Sequence, residues 1–208
     1  EGPSALDPGL AKELARGGLA APEGLRRLTG GATMESWLFS SGAEDFVLRR
    51  APSLSFMEGR PFGLEVEAAI INAAHNAGVM APEVVVGLEP ADGIGSGFVM
   101  RALPGTAEPR VILDMKQSGR LLEEVARDLA RIHAIPRAAL PDDVPELDYA
   151  EAVDCLVQQF EDAGGDRPVI ALGLKWLRDH LPEPVEPVLN HGDFRLGNLL
   201  AEDSHLTG

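Results

Sequence analysis

Sulfur and positive charge are both scarce in this chain. One residue of 208 is cysteine, Cys155, so no internal disulfide forms and no thiolate metal site is built from thiols alone. A reducing cytosol fits that usage. The setting of Cys155 in "YAEAVDCLVQQF", an apolar helical pattern, predicts a packed core thiol. Lys and Arg together number 18 against 33 Asp and Glu, a formal charge of −15. This balance argues against a nucleic-acid partner, which demands a basic surface, and is compatible with a cationic one, although solubility is the ordinary use of an acidic surface. No apolar run approaches the ~18 residues of a membrane span, and "EGPSALDPGLAKELARG" lacks the charged-then-apolar plan of a secretory leader. A cytoplasmic protein with no membrane partner is expected. Also missing are G-x-x-x-x-G-K-S/T, a strand-linked G-x-G-x-x-G and G-x-S-x-G, which sets aside Walker-type NTPases, Rossmann oxidoreductases and α/β-hydrolases. His75, His133, His180 and His205 share no ligand spacing, so no zinc site follows.

What is present suffices for one or two compact domains, with 45% hydrophobic and 25% charged residues. Residues 6–28 hold an amphipathic helical pattern around Leu10, Leu14 and Leu19, broken by glycines and Pro22. After Gly30 and Gly31, Trp37 to Phe39 and "DFVLRR" (45–50) read as two strands joined by "SSGAED". "LEVEAAIINAAHNA" (64–77) is rich in helix formers and stops at Gly78 and Pro82. "PEVVVGLEP" and "GFVMRALPG" then read as strands around the turn "ADGIGS". Beyond Gly105 the pattern turns helical. "SGRLLEEVARDLARIHAI" puts Leu122, Val125, Ala126, Leu129, Ile132 and Ile135 on one face, and residues 147–162 and 169–181 add two more amphipathic helices. Trp37 and Trp176 both sit in apolar patterns, where core packing is the default.

The densest chemistry lies in "PVLNHGDFRLGNLLAED" (187–203), which follows the rigid, proline-rich "LPEPVEP". Asp193 and Asn198 stand five apart, the spacing of the aspartate and asparagine in the kinase catalytic loop H-R-D-x-x-x-x-N. Phosphoryl transfer requires a carboxylate that accepts a hydroxyl proton and, one loop later, an amide oxygen that holds magnesium against the nucleotide phosphates. Arg195 can offset charge on the transferred group.

"HGDFRLGNLL" resembles the catalytic loop of the aminoglycoside phosphotransferase and choline kinase-like family, in which HGD replaces HRD, and most of all its bacterial small-molecule branch, some members of which are linked to acyl-CoA dehydrogenases. The resemblance runs through nearly the whole chain in order: "LTGGATMESWLF" is similar to the nucleotide loop, "FVLRR" to the strand bearing the phosphate-binding cation, "LEVEAAIINAAHNAGVMAPEV" to the ion-pairing helix, "GFVMRALPG" to the hinge, and "VARDLARIHAIP" to the helix before the substrate-binding insertion.

The resemblance implies an α+β, protein-kinase-like fold of two lobes: residues 1–103 as a small antiparallel-sheet N-lobe with one main helix, and residues 104–208 as a mostly helical C-lobe. It implies an ATP- and Mg²⁺-dependent phosphotransferase acting on a small-molecule hydroxyl, with Asp193 as catalytic base, Arg195 as charge-offsetting partner and Asn198 as magnesium ligand. Gly30 and Gly31 would let the loop backbone approach phosphate. Arg49, where many relatives have lysine, would bind phosphate and pair with Glu67. The backbone at Arg101 and Leu103, beside Met100, would receive adenine. His191 is expected to play a structural hydrogen-bonding role. The family's second metal carboxylate is expected beyond Gly208, with a larger parent protein and an incomplete C-lobe here; Asp203 suits a surface turn instead. Substrate identity is expected within residues 106–185, whose acidic residues suit an amino sugar or choline-like cation or are a solvated face, while the dehydrogenase-linked branch points to a hydroxyacyl metabolite. The alternative is a catalytically inactive nucleotide- or metabolite-binding regulator of the same fold.

Overall fold

The computed structural model describes residues 3–28, 34–89, 93–116 and 118–208. The chain divides into two compact units, Glu1–Val144 with Val188–Gly208, and Pro145–Pro187.

The first unit is built on a five-stranded antiparallel sheet of β1 (Glu23–Arg27), β2 (Glu35–Ser41), β3 (Glu44–Ala51), β4 (Val84–Gly87) and β5 (Ser96–Arg101), ordered β1-β2-β3-β5-β4. Strand alternation gives the sheet two apolar faces, and a helix covers each. On one face Trp37, Phe39, Phe46, Leu48 and Val99 meet Leu6, Leu10 and Leu14, which recur every four residues along α1 (Pro3–Arg16) and so share one side of it. On the other, Ala51 and Phe98 with the half-buried Val84 and Met100 meet Leu64, Ala68 and Ile71 of α2 (Leu64–Asn76). Each fully buried Phe or Leu contributes roughly 1.5–3 kcal/mol of apolar transfer.

Arg50 and Glu35 form a buried ion pair in this sheet. Arg50 donates Nε to Glu35 (2.9 Å) and Nη1 to the Ile94 carbonyl (2.8 Å), and Trp37 donates to the same carboxylate (3.2 Å). Burial alone would raise the Glu35 pKa; the hydrogen bonds from Arg50 and Trp37 overcome it and leave the carboxyl below its usual value.

Beyond β5 come α3 (Pro109–Leu113) and α4 (Ser118–His133), and after residue 188 a three-residue helical turn, Leu196–Asn198, and a hairpin of β6 (Ala201–Glu202) and β7 (His205–Leu206). In α4 the buried line is Leu121, Asp128 and Ile132, continued by Ile135, while Leu122 is 69% exposed. The pattern "RLLEE" admits either leucine. Spacings of four and three from Ile132 select Leu121, and Leu122 lies 100° away around the helix.

The second unit is a helical pair, α5 (Tyr149–Asp162) and α6 (Pro168–Asp179), joined by Arg178 and Asp154 at 2.5 Å. Asp148 caps α5 by accepting the Glu151 N–H at 2.9 Å. The expected core roles of Cys155 and Trp176 do not hold. Cys155 is exposed and accepts from the Gln159 amide, and Trp176 is 56% exposed with its ring stacked 4.5 Å from His180. Of this unit's apolar side chains only Val153 is buried, because two short helices have too little surface to cover both their apolar faces.

No described helix is long and apolar enough to cross a membrane. The whole is α+β, with the antiparallel sheet and main helix first and helices after, as the sequence predicts; the helical pattern expected over residues 6–28 ends at Arg16 as α1, and the close of that range is instead the edge strand β1.

Candidate active site

The loop between Asn190 and Leu199 holds its shape with its own polar groups. Asn190 Oδ1 accepts the Gly192 N–H (3.1 Å), and His191 Nδ1 accepts the Asp193 N–H (3.3 Å), which fixes the His191 proton on Nε2. Gly192 has φ +80°, a conformation that a side chain would strain. Phe194 turns inward. It packs against Ile112, Leu121 and Leu199 on one side and against Ala74, Val79 and Ile132 on the other, with the His191 ring edge-on at 5.4 Å. Because Phe194 is anchored, its neighbours Asp193 and Arg195 point outward, with side chains 60% and 64% exposed.

Asp193 and Asn198 converge. Asn198 Nδ2 donates to Asp193 Oδ2 at 2.7 Å and to the Asp193 carbonyl at 2.8 Å, while Arg195 Nε donates to Asp193 Oδ1 at 2.9 Å. Two acceptors on the nitrogen settle the amide orientation, so the Asn198 oxygen faces away from Asp193 and accepts no hydrogen bond among the described residues. The Arg195 guanidinium first, then the Asn198 amide, hold the Asp193 carboxyl below the usual aspartate value. It is a carboxylate at neutral pH, able to accept a proton. Among the described residues no three His, Cys, Asp or Glu gather as a metal cage. One free amide oxygen beside a carboxylate still suits magnesium, which keeps several waters and takes few protein ligands.

A second cluster sits on the α2 side of the sheet. Arg49 pairs in register with Ser36 on β2 and Phe98 on β5, and its alternation is opposite to that of the buried Arg50. Arg49 Nε donates to Glu67 Oε1 at 2.7 Å, and Arg60, from the segment before α2, donates Nη2 to Glu67 Oε2 at 2.6 Å. Both Arg49 Nη groups make no hydrogen bond among the described residues, which leaves a planar fork of the kind that binds phosphate.

The segment after β5 joins the two. Met100 lies in the α2-side core, and Arg101 is engaged: its N–H donates to the Glu83 carbonyl (2.9 Å), and its guanidinium pairs with Glu44 (2.5 Å) and Glu83 (2.7 Å), which raise its pKa. The Leu103 N–H makes no hydrogen bond among the described residues. Its side chain lies against Gly208, next to Leu200. Thr106 exchanges both backbone hydrogen bonds with Ala201 (3.0 and 3.1 Å), so the exit of β5 is stitched to the exit of the Asp193 loop. At Gly105, φ +103°, a Cβ would come within 2.8 Å of the Ala201 carbonyl oxygen.

The structure thus brings Asp193, Arg195 and Asn198 together, and Arg49 and Glu67 together, and no hydrogen bond or ion pair among the described residues links the two groups. Gly30 and Gly31 lie outside the described residues. Asp203 occupies the turn of the β6–β7 hairpin with φ 50°. Three contributors went unread in the sequence. Arg60 is seven residues from its partner in a stretch with no periodicity; Phe194 passes as one more apolar residue; Asp128, which accepts the N–H of Met80, just beyond α2, through both oxygens (3.1 Å each), reads as part of the solvated face of α4. A charged residue on the line of Leu121 and Ile132 was the available signal for Asp128.

Known proteins bear on this geometry. The profile of a family described as "Phosphotransferase enzyme family" matches residues 24–208. Acyl-CoA dehydrogenase family member 10 of Mus musculus is 31% identical over 162 residues, which is 74% of this chain and 15% of the mouse protein. A candidate aminoglycoside phosphotransferase of Ralstonia eutropha JMP134 superposes with a TM-score of 0.74 at 18% identity, over 98% of this chain and 62% of that one. A thermostable mutant of aminoglycoside phosphotransferase APH(4)-Ia, in ternary complex with AMP-PNP and hygromycin B, gives 0.70 at 16% identity, over 98% and 69%. A macrolide 2'-phosphotransferase of type I gives 0.63 at 18%, over 99% and 70%. At such identities the structural likenesses establish the fold, and the chain spans a small part of the mouse relative and under two thirds of the Ralstonia protein.

Proposed function

The chain belongs to the phosphotransferase enzyme family, and from that premise we propose that it carries the catalytic loop and nucleotide-binding sheet of an enzyme that transfers the γ-phosphoryl group of ATP to a hydroxyl of a small molecule. The observation that carries this reading is the convergence on Asp193: Arg195 at 2.9 Å on one oxygen, Asn198 at 2.7 Å on the other.

Asp193 accepts the proton of the attacking hydroxyl and orients its oxygen toward the phosphorus. Its depressed pKa keeps it ionised, and the exposure of its side chain leaves room for the acceptor. Arg195 holds the carboxylate through Nε and presents its Nη groups to the transferred phosphoryl group. Asn198 offers its free oxygen to magnesium, which when bound would neutralise charge on the phosphates. Arg49, steered by Glu67, presents its fork to the phosphates, and the free Leu103 N–H donates to the adenine edge. The Arg101 N–H is already donated to Glu83, so Leu103 supplies the backbone donor and Arg101 has only its carbonyl to offer. Gly30 and Gly31 belong to the same reading as the loop over the phosphates, and the boundary between residues 103 and 104 as that between the lobes.

The acceptor follows from two sets of relatives. The mouse relative is named for acyl-CoA dehydrogenase, which favours a hydroxyacyl thioester or related metabolite; the APH(4)-Ia complex holds hygromycin B, which favours an amino sugar. Incubation with ATP and magnesium against panels of hydroxyacyl thioesters, amino sugars and amino alcohols tests the proposal. ADP release that depends on one acceptor class, and is lost in Asp193→Ala, supports it. Nucleotide binding without acceptor-dependent ADP release from any panel would favour the regulator, a reading that the joint presence of Asp193, Arg195 and Asn198 opposes.

A further inference from the structure

Glu67 is bonded by two arginines, one on each oxygen: Arg49 Nε to Oε1 at 2.7 Å and Arg60 Nη2 to Oε2 at 2.6 Å. The three side chains are 29%, 17% and 25% exposed for Arg49, Glu67 and Arg60, so water screens their charges less than it screens a surface pair. A lone Arg49–Glu67 pair would be electrically neutral toward anything that approached the Arg49 fork. With Arg60 included, the group carries one net positive charge, in a chain whose formal charge is −15.

The clasp is also imperfect as a stabilising device. The Arg60 Nε is buried and has no hydrogen-bond acceptor among the described residues. A buried donor left unmade opposes folding, so a residue kept only to tie the segment before α2 to the helix would be better replaced by one without it. The charge that Arg60 brings to Glu67 is what such a replacement would lose.

We infer that Arg60 is a further positioning residue of the phosphate site: it neutralises Glu67 and shares its carboxylate, so that Arg49 is held in place through Nε while its charge remains available to an anion. This rests on the nucleotide reading above. Arg60 acts through Glu67 and is not assigned a contact with the nucleotide.

The test is equilibrium binding of ATP and of adenosine, measured by calorimetry on the whole chain, for the wild type, Arg60→Gln and Arg60→Lys. Arg60→Gln should weaken ATP binding by roughly 10-fold, the order expected for loss of one charge in a partly screened setting, and leave adenosine binding within a factor of about two. Arg60→Lys, which keeps the charge, should recover most of the loss. A purely structural role would weaken both ligands alike, and that result, or ATP binding unchanged in Arg60→Gln, overturns the inference. Should Arg60→Gln not fold, Arg60→Met, which keeps the apolar stem, replaces it; failure of both to fold would assign the clasp to stability and reject the inference. A wild type that binds adenosine but not ATP, or neither, is a separate result that removes the nucleotide reading itself.

Discussion

Arg49 and Arg195 do the same thing in two different media. Each donates Nε to a carboxylate, at 2.7 and 2.9 Å, and each keeps its Nη groups clear of other hydrogen bonds among the described residues. The Arg49 cluster lies between sheet and helix with its side chains 17–29% exposed, fixed by strand register on one side and by α2 on the other. The Arg195–Asp193 pair stands on a loop at 60–64% exposure, with the intervening Phe194 turned inward beside Leu196 and Leu199. An exposed pair adds little to stability. Its geometry is maintained by the loop's internal hydrogen bonds, so the fold does not need the charges there. The half-buried pair serves both fold and ligand, and its removal should be felt in both. Under the proposed function this separates a part that positions the nucleotide from a part that carries the chemistry.

Asp193→Ala should separate the two clusters most strongly. Transfer should fall by roughly 10²- to 10⁴-fold while the thermal midpoint does not move measurably. Coupled ADP release and thermal unfolding on the same preparation check it, and a variant that loses both would make the loop structural. Next in size, Arg49→Ala should raise the dissociation constant for ATP about 10-fold and also lower unfolding free energy by about 1 kcal/mol, since Glu67 keeps only Arg60. Nucleotide titration and urea unfolding report the two effects, and a change in one alone would contradict the double role.

Arg195→Ala probes the exposed pair by pH. Arg195 is the leading cause of the depressed Asp193 pKa, so its removal returns the carboxyl toward its ordinary value. Catalysis needs the ionised form. The acid limb of the pH–rate profile therefore moves to higher pH in Arg195→Ala, and a limb that stays in place would detach Asp193 from it.

The two regions also differ in how they show through the sequence. The Asp193 loop is legible because its chemistry is local: five residues set the convergence of Asp193 and Asn198, and the loop's hydrogen bonds close within the segment 190–198. The Arg49–Glu67 pairing spans 18 residues and was reachable only by resemblance, and Arg60, which no pattern marks, was missed. The two helices that cover the sheet, α1 and α2, announce themselves by four-residue leucine or alanine spacing, but β1 does not. As an edge strand with Leu25 its one half-buried apolar residue, it offers no alternation to read. Leu122 and Trp176 teach the converse. An apolar residue in a helical pattern shows that a face exists, but burial depends on what lies opposite, and a leucine doublet or a two-helix unit leaves that undetermined.

The smallest effect separates the clusters by salt. Salt weakens interactions between exposed charges, over a Debye length of about 10 Å at ~0.1 M that shortens as salt is added, and affects half-buried ones far less. Raising ionic strength should therefore erode the Arg195 contribution, drawing the wild-type acid limb upward toward that of Arg195→Ala. The stability difference between wild type and Arg49→Ala should change less over the same range, because Arg49, Glu67 and Arg60 sit largely out of water. Profiles and urea curves at low and high salt give both slopes. Equal salt sensitivity would mean that the Arg49 cluster is as wet as the loop, and the division between a placing part and a reacting part would fail.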